Sequence, residues 1–342
     1  MAARAFITGV SGTVLTDDER AFLRARQPWG FILFKRNVDT PAQVKALVED
    51  LRSTVGRPDA PVLIDQEGGR VQRLQPPHWP VYPPGAVFSA LYDRDPAEGL
   101  EAARLTARLI AADLADLGIT VDCLPLADVP VEGADAVIGN RAYGTTPAKV
   151  AAIARAVTDG LAQGGVLPVL KHIPGHGRAT ADSHLRLPTV DTPPAELAVT
   201  DFAAFRPLAD LPMAMTAHVV FSGLDPAQPA TTSATIIAQV IRGAIGFQGL
   251  LMSDDVSMNA LSGSIAERTR ASLAAGCDVV LHCNGKLDEM VQVADEAPPL
   301  SGEALARADR ALAARRPPQP LDRAGARAEL DRLIGRAGSL TS

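Results

Sequence analysis

Eight short apolar runs recur along the 342-residue chain: Ala5–Val10, Gly30–Phe34, Pro61–Asp65, Ile119–Leu124, Leu167–His172, Ala214–Val219, Gly249–Asp254 and Asp278–Cys283. Most are nearly continuous in apolar residues rather than alternating, the pattern of parallel strands covered on both faces. The segments between them read as helices. Thr40-Pro41 is an N-cap followed by a first-turn proline, with Val44, Leu47, Val48 and Leu51 along one face. Ala103, Ala107, Ile110, Leu114 and Leu117 recur at helical spacing up to Gly118. Thr146-Pro147 repeats the cap before Val150, Ile153, Val157 and Leu161, and Ser233–Gly246 and Ser264–Gly276 are two more helices. Eight β/α repeats imply a (β/α)8 barrel. The competing open, doubly wound sheet calls for a Gly-rich phosphate turn after an early strand, and Gly9-Val-Ser-Gly12 is a poor version of one. The tail from about Pro298 to Gly338 is broken by Pro317, Pro318 and Pro320. It reads as two surface helices packed on the barrel, so residues 1–342 are expected to form one domain.

Composition narrows the partners. The chain is 47% hydrophobic and 21% charged, as in soluble globular proteins. A net charge of -6 supplies no basic stripe for phosphates, and two Trp and three Tyr offer little for base stacking. Nucleic acid and anionic membrane surfaces are therefore not expected partners. No apolar run approaches the length of a membrane span. The short run after Arg4 is interrupted by Thr8, Gly9, Ser11, Gly12 and Thr13, and reads as a first strand rather than a signal peptide. Cys123, Cys277 and Cys283 are odd in number and lack metal-site spacing, which fits buried thiols in a reducing compartment.

Active sites on such a barrel sit at the C-terminal ends of the strands, and that is where the polar residues fall. Strand three ends in Asp65-Gln-Glu-Gly-Gly-Arg-Val-Gln-Arg73, strand five in Lys171-His172 and strand six in Ala217-His218. Strand seven ends in Ser253-Asp254-Asp255 and strand eight in His282-Cys283-Asn284, while the loop after strand four carries Asp128 and then Gly139-Asn-Arg-Ala-Tyr-Gly144. Several of these have a structural reading beside the chemical one. Asp255 is a helix cap or a site carboxylate. His218 and His282 bond a neighbouring loop or face the site. Glu67 is a second carboxylate or a support for its turn, and Arg73 and Arg141 are surface ion pairs or site cations. Lys171-His172, at the end of a buried strand, is expected to need an anionic or polyhydroxy partner.

The densest stretch runs from Leu170 to Pro188 and holds Lys171, His172, His176, Asp182 and His184. Pro174, Gly175 and Gly177 make it a loop. In Asp182-Ser-His184 the carboxylate can accept a hydrogen bond from one imidazole nitrogen and leave the other for proton transfer, or it can simply brace the loop. The rival chemistries are a Schiff-base aldolase using Lys171, a metal-dependent hydrolase using His172, His176 and His184, and a sugar-binding module without turnover. Helical metal spacing of His172 and His176 is opposed by Pro174-Gly175.

Lys171-His-Ile-Pro-Gly-His-Gly177 followed by Asp182-Ser-His184 resembles the signature of family 3 glycoside hydrolases, specifically their bacterial β-N-acetylglucosaminidases. Asp65–Arg73, Val137-Ile-Gly-Asn-Arg141 and Ser253-Asp-Asp-Val-Ser-Met258 are similar to the family's other motifs, in order, so the likeness spans essentially the whole chain. Ile173 stands where Phe is common. The resemblance implies a single (β/α)8 barrel with no metal and no organic cofactor. It implies a cytoplasmic enzyme of peptidoglycan recycling that acts on muropeptide fragments, releasing N-acetylglucosamine from GlcNAc-1,6-anhydro-MurNAc with or without peptide; a monomer is expected. It further implies Asp254 as the nucleophile of a retaining mechanism, His184 as acid/base and Asp182 as its orienting partner. Asp65, Arg73, Arg141, Lys171 and His172 match sugar-binding positions, and His176 has no implied role. The choice of Asp254 over Asp255 rests on the resemblance alone. A β-N-acetylglucosaminide phosphorylase with the same residues is the nearest competitor, because an imidazole does not repel incoming phosphate. Gly175, Gly177 and Ala179-Thr-Ala181 are expected to leave the His184 loop mobile, swinging in when substrate binds.

Overall fold

Each apolar run becomes one barrel strand: β1 (Arg4–Thr8), β2 (Pro28–Leu33), β3 (Val62–Ile64), β4 (Val121–Asp122), β5 (Leu167–Ile173), β6 (Met213–Thr216), β7 (Leu250–Asp255) and β8 (Val279–His282). All pair in parallel with their neighbours in sequence, and Phe6 opposite Val280 closes β1 onto β8. The expected (β/α)8 barrel is thus the fold. The computed structural model describes residues 2–183 and 186–338. Among these, no helix is long and apolar enough to cross a membrane. The three cysteines are free and buried.

Alternation along the strands divides the core in two. Ile7, Leu63, Val121, Val169, Met213 and Met252 fill the barrel interior. Residues such as Phe6, Val62 and Leu251 face the helical layer and pack against Leu47, Ile110 and Ile153. The helices start where local chemistry dictates. Thr16 and Glu19 form a capping box for Asp17–Arg26, and Thr40 caps Pro41–Val55. Thr146 departs from expectation: its side chain makes no capping bond, and Pro147 alone marks the start of Pro147–Gln163.

The tail forms two helices. Arg323–Gly338 packs on the side of the barrel, where Arg323 Nη2 donates to Ala112 O at 3.0 Å and Leu330 and Leu333 are buried. The preceding helix, Gly302–Ala313, sends Ala308 and Ala311 into the interior cluster, and Leu300 N donates to Ala3 O at 2.8 Å. It closes the N-terminal mouth of the barrel, leaving the opposite mouth for chemistry.

Not every helix has a counterpart among the sequence expectations. Gly85–Arg94 follows a Pro-rich stretch and starts at Pro84, which makes no side-chain cap. Its first residue must be glycine: a Cβ there would lie 2.2 Å from Arg141 O. That close approach seats the segment carrying Arg141.

Candidate active site

The chain leaving β3 presents three polar side chains at once. Asp65 follows the last strand residue, and a short antiparallel pair, Gln66–Gly68 with Val71–Gln72, turns the chain back. Gln66 ties this turn together, its Oε1 accepting from Arg73 N at 2.9 Å and Leu74 N at 3.0 Å. Asp65, Glu67 and Arg73 are thereby held on one side.

Lys171, from the middle of β5, reaches into them. Its Nζ lies 2.9 Å from Asp65 Oδ1 and 2.7 Å from Glu67 Oε1. Arg73 Nη2 donates to Asp65 Oδ2 at 3.1 Å, and Arg141 grips Glu67 through Nε at 2.8 Å and Nη2 at 2.7 Å. Lys171, only 2% exposed, thus finds anionic partners inside the protein, in Asp65 and Glu67. Arg73 and Arg141 join this network and are not surface ion pairs. Burial alone would push both carboxyls up. Lys171 and Arg73 outweigh it for Asp65 and hold that carboxyl below its ordinary range. Arg141 and Lys171 do the same for Glu67, at about 2. Burial would lower the Lys171 ammonium, but Asp65 and Glu67 raise it instead, so it stays charged and is no Schiff-base nucleophile at neutral pH. Beneath the network Asp122 is fully buried. Its Oδ1 accepts from Gln66 N at 3.0 Å, and burial drives its pKa well upward.

A second cluster is built on Asp128. Its Oδ2 lies 2.7 Å from His172 Nδ1, and its Oδ1 accepts from His176 N at 2.7 Å. Burial would raise this carboxyl, but His172 and then His176 N–H hold it low. His172, like Lys171, has its polar partner inside the protein. The rings of His172 and His176 meet edge-on with centroids 5.7 Å apart, and His176 Nε2 lies 3.1 Å from Ser183 Oγ.

The rim of β7 separates the two adjacent aspartates. Asp255 is spent on structure: Oδ1 accepts from Ser257 N at 2.9 Å and Cys283 N at 3.1 Å, and Oδ2 from Ser257 Oγ at 2.7 Å. Asp254 Oδ1 accepts from Asp255 N at 2.7 Å, and the side chain lines the cleft. His218 bonds Thr231 Oγ1 at 2.7 Å and Asp255 O at 3.0 Å, while His282 faces Glu289 at 3.3 Å; both serve local structure.

Asp65, Arg73, Arg141, Lys171, His172, Asp182 and Asp254 therefore line one cleft of about 430 Å³ at the C-terminal mouth. His184 lies outside the described residues. Two relationships at the site escape the sequence reading: the pairing of Asp128 and the setting of Phe34. Asp128 falls beyond its strand end in an apolar loop, with nothing in the sequence to pair it with His172. The guanidinium centres of Arg36 and Arg73 lie 4.9 and 5.1 Å from the ring centroid of Phe34. A signal for Phe34 and Arg36 existed, since Phe34-Lys-Arg36 ends the second run as the other polar groups end theirs.

A barrel carrying this constellation at its C-terminal mouth is a glycosidase scaffold, and the comparisons agree. Residues 9–311 match the glycosyl hydrolase family 3 N terminal domain, and the chain belongs to that family. A beta-hexosaminidase of Alkalilimnicola ehrlichii is 40% identical over 280 residues, covering 81% of this chain and 79% of that protein. Another, from Chromobacterium violaceum, is 37% identical over 305 residues, covering 88% and 84%. Among solved structures, NagZ from Neisseria gonorrhoeae in complex with N-trifluoroacetyl-D-glucosamine superposes with a TM-score of 0.86 at 32% identity, covering 98% of this chain and 99% of that one. The chain is thus a glycosidase of the β-N-acetylhexosaminidase group.

Proposed function

We propose that the chain is a retaining exo-β-N-acetylglucosaminidase whose nucleophile is Asp254. The supporting observation is the difference in bonding on β7: both aspartates border the cleft that also holds Asp65, Arg73 and Lys171, but both oxygens of Asp255 are bonded into its turn, by two backbone N–H groups and a hydroxyl. A neutral sugar enters a pocket whose charges are already paired. Asp65 accepts sugar hydroxyls, and Lys171, His172 and the arginines donate to hydroxyl and acetamido oxygens. Epimers are rejected because they leave such groups unpaired.

In the first step an Asp254 carboxylate oxygen attacks the anomeric carbon. The bond to the leaving oxygen breaks, and that oxygen takes a proton from the His184 imidazolium. In the second step His184 takes a proton from water, whose oxygen displaces Asp254 and yields N-acetylglucosamine with its configuration retained. Asp182 stabilises the imidazolium and fixes its tautomer. The substrate is GlcNAc-1,6-anhydro-MurNAc, with or without peptide, in cytoplasmic peptidoglycan recycling. The closeness to NagZ and the three unpaired cysteines support this setting.

The test is hydrolysis of p-nitrophenyl β-N-acetylglucosaminide and of GlcNAc-1,6-anhydro-MurNAc, with product anomers followed by NMR, with and without phosphate. β-N-acetylglucosamine as first product, and none from Asp254→Asn, is expected. A first product of inverted configuration would overturn the reading, and N-acetylglucosamine 1-phosphate would make the enzyme a phosphorylase. Absence of turnover by folded wild type would return the chain to a sugar-binding role.

A further inference from the structure

His176 is the histidine of the Lys171–Gly177 motif that the proposed mechanism leaves unused. It is 3% exposed, and its backbone N–H is fixed to Asp128, the same carboxylate that holds His172. Its Nε2 lies 3.1 Å from the hydroxyl of Ser183, also 3% exposed. Its Nδ1 has no partner among the described residues. A buried lone pair left alone is tolerated more readily than a buried N–H left alone. The proton therefore sits on Nε2, and His176 donates to Ser183 Oγ. Burial, and then the neighbouring His172, hold the ring's pKa down at about 4, so it remains a neutral donor at neutral pH.

Ser183 is the residue between Asp182 and His184. The loop has a second fixed point at Gly177, where a Cβ would lie 2.2 Å from Val129 O, so this glycine lets the backbone settle against Val129-Pro130. Proton transfer demands heavy-atom distances of ~2.6–3.2 Å, and a displacement of about 1 Å costs on the order of a hundredfold in rate. An acid/base on a loop therefore requires something rigid to set the loop's register.

We propose that the Asp128–His176–Ser183 chain is a positioning clip that sets the Asp182–His184 segment for proton transfer and links it to the carboxylate that orients His172. His176 and Ser183 are positioning residues, not catalytic ones. The inference rests on the reading of His184 as acid/base.

The experiment compares Ser183→Ala, Ser183→Thr and His176→Gln, each alone and with His184→Ala. Substrates are an activated aryl glycoside and a disaccharide with an alkyl leaving group, alongside inhibition by free N-acetylglucosamine. Ser183→Ala should lower kcat for the disaccharide about 10–100-fold and shift its pH profile, while inhibition by N-acetylglucosamine stays within about twofold. Ser183→Thr and His176→Gln, which keep a hydroxyl or an N–H donor in the clip, should recover most of the loss. In the His184→Ala background, Ser183→Ala should add no more than about a factor of two, because both act through one step. Folded Ser183→Ala with wild-type kcat on the disaccharide would overturn the clip, as would a full additional loss in the His184→Ala background. His184→Ala with wild-type rates on both substrates would instead overturn the acid/base reading itself.

Discussion

The Glu67 carboxylate meets the Arg141 guanidinium side-on, Oε2 2.8 Å from Nε and Oε1 2.7 Å from Nη2, and the same Oε1 lies 2.7 Å from Lys171 Nζ. One buried anion thus fixes two cations of the cleft. Removing it leaves Arg141 and Lys171 undercompensated, and losing one partner of a buried pair costs about 3–5 kcal/mol. Glu67→Ala should lose stability of that order in urea denaturation and raise KM at least about tenfold, whereas Glu67→Gln, which keeps hydrogen-bond acceptance, should fall between it and wild type.

The two aspartates on β7 should separate cleanly. Asp254→Asn removes the attacking group and should lower kcat by on the order of 10⁴-fold or more, with a melting temperature near wild type. Asp255→Ala should reverse the pattern, losing about 1–2 kcal/mol with its bonds to Ser257 and Cys283 while keeping far more of its turnover. Parallel kinetics and thermal melts on both variants check this.

Acid should weaken the fold in two windows. His176 is held down from an ordinary 6.5 to about 4, so between those values the unfolded chain takes up a proton that the folded chain refuses. Its contribution is complete above about pH 6.5 and fades toward pH 4, by up to ~3 kcal/mol. Glu67, lowered from 4.5 to about 2, contributes fully above about pH 4.5 and is lost as pH falls toward 2. Denaturation curves at pH 7, 5.5 and 4 should show the upper window in wild type and its flattening in His176→Gln.

Gly177→Ala should damage activity out of proportion to its size. The added methyl would meet Val129 O at 2.2 Å, Val129 C at 2.3 Å and Pro130 N at 2.7 Å, all backbone. No side chain can swing aside, so the loop must shift. A loss of kcat of about a hundredfold is expected, with N-acetylglucosamine inhibition largely kept because Asp65, Arg73 and Lys171 are untouched.

The barrel was legible because most of its strands are nearly unbroken in apolar residues, and five of them end in a charged or imidazole group. Asp65, Arg73, Arg141, Lys171, His172, Asp182 and Asp254 are brought to one cleft as their strand-end positions require. What the sequence hides is pairing. Lys171 meets Asp65 106 residues away, and Asp128 meets His172 44 residues away, and neither separation leaves a local pattern. The helix Gly85–Arg94 hides for another reason: it is uncapped and follows prolines, so its start gives no polar signal. Ala308 and Ala311 give little hint that their helix plugs the barrel, because alanine suits a surface helix as well as a close-packed one.

Asp65, Glu67, Arg73, Arg141 and Lys171 all lie between the ends of β3 and β5, whereas Asp254 arrives on β7, a quarter of the circumference beyond β5 and half of it from β3. On the proposed mechanism the attacking group is therefore written on a different length of chain from the groups that hold the sugar. A protein blunted only at Asp254 keeps every contact of the holding network and becomes a lectin in effect, so that, immobilised, it would capture chain-terminal N-acetylglucosamine and return it unchanged.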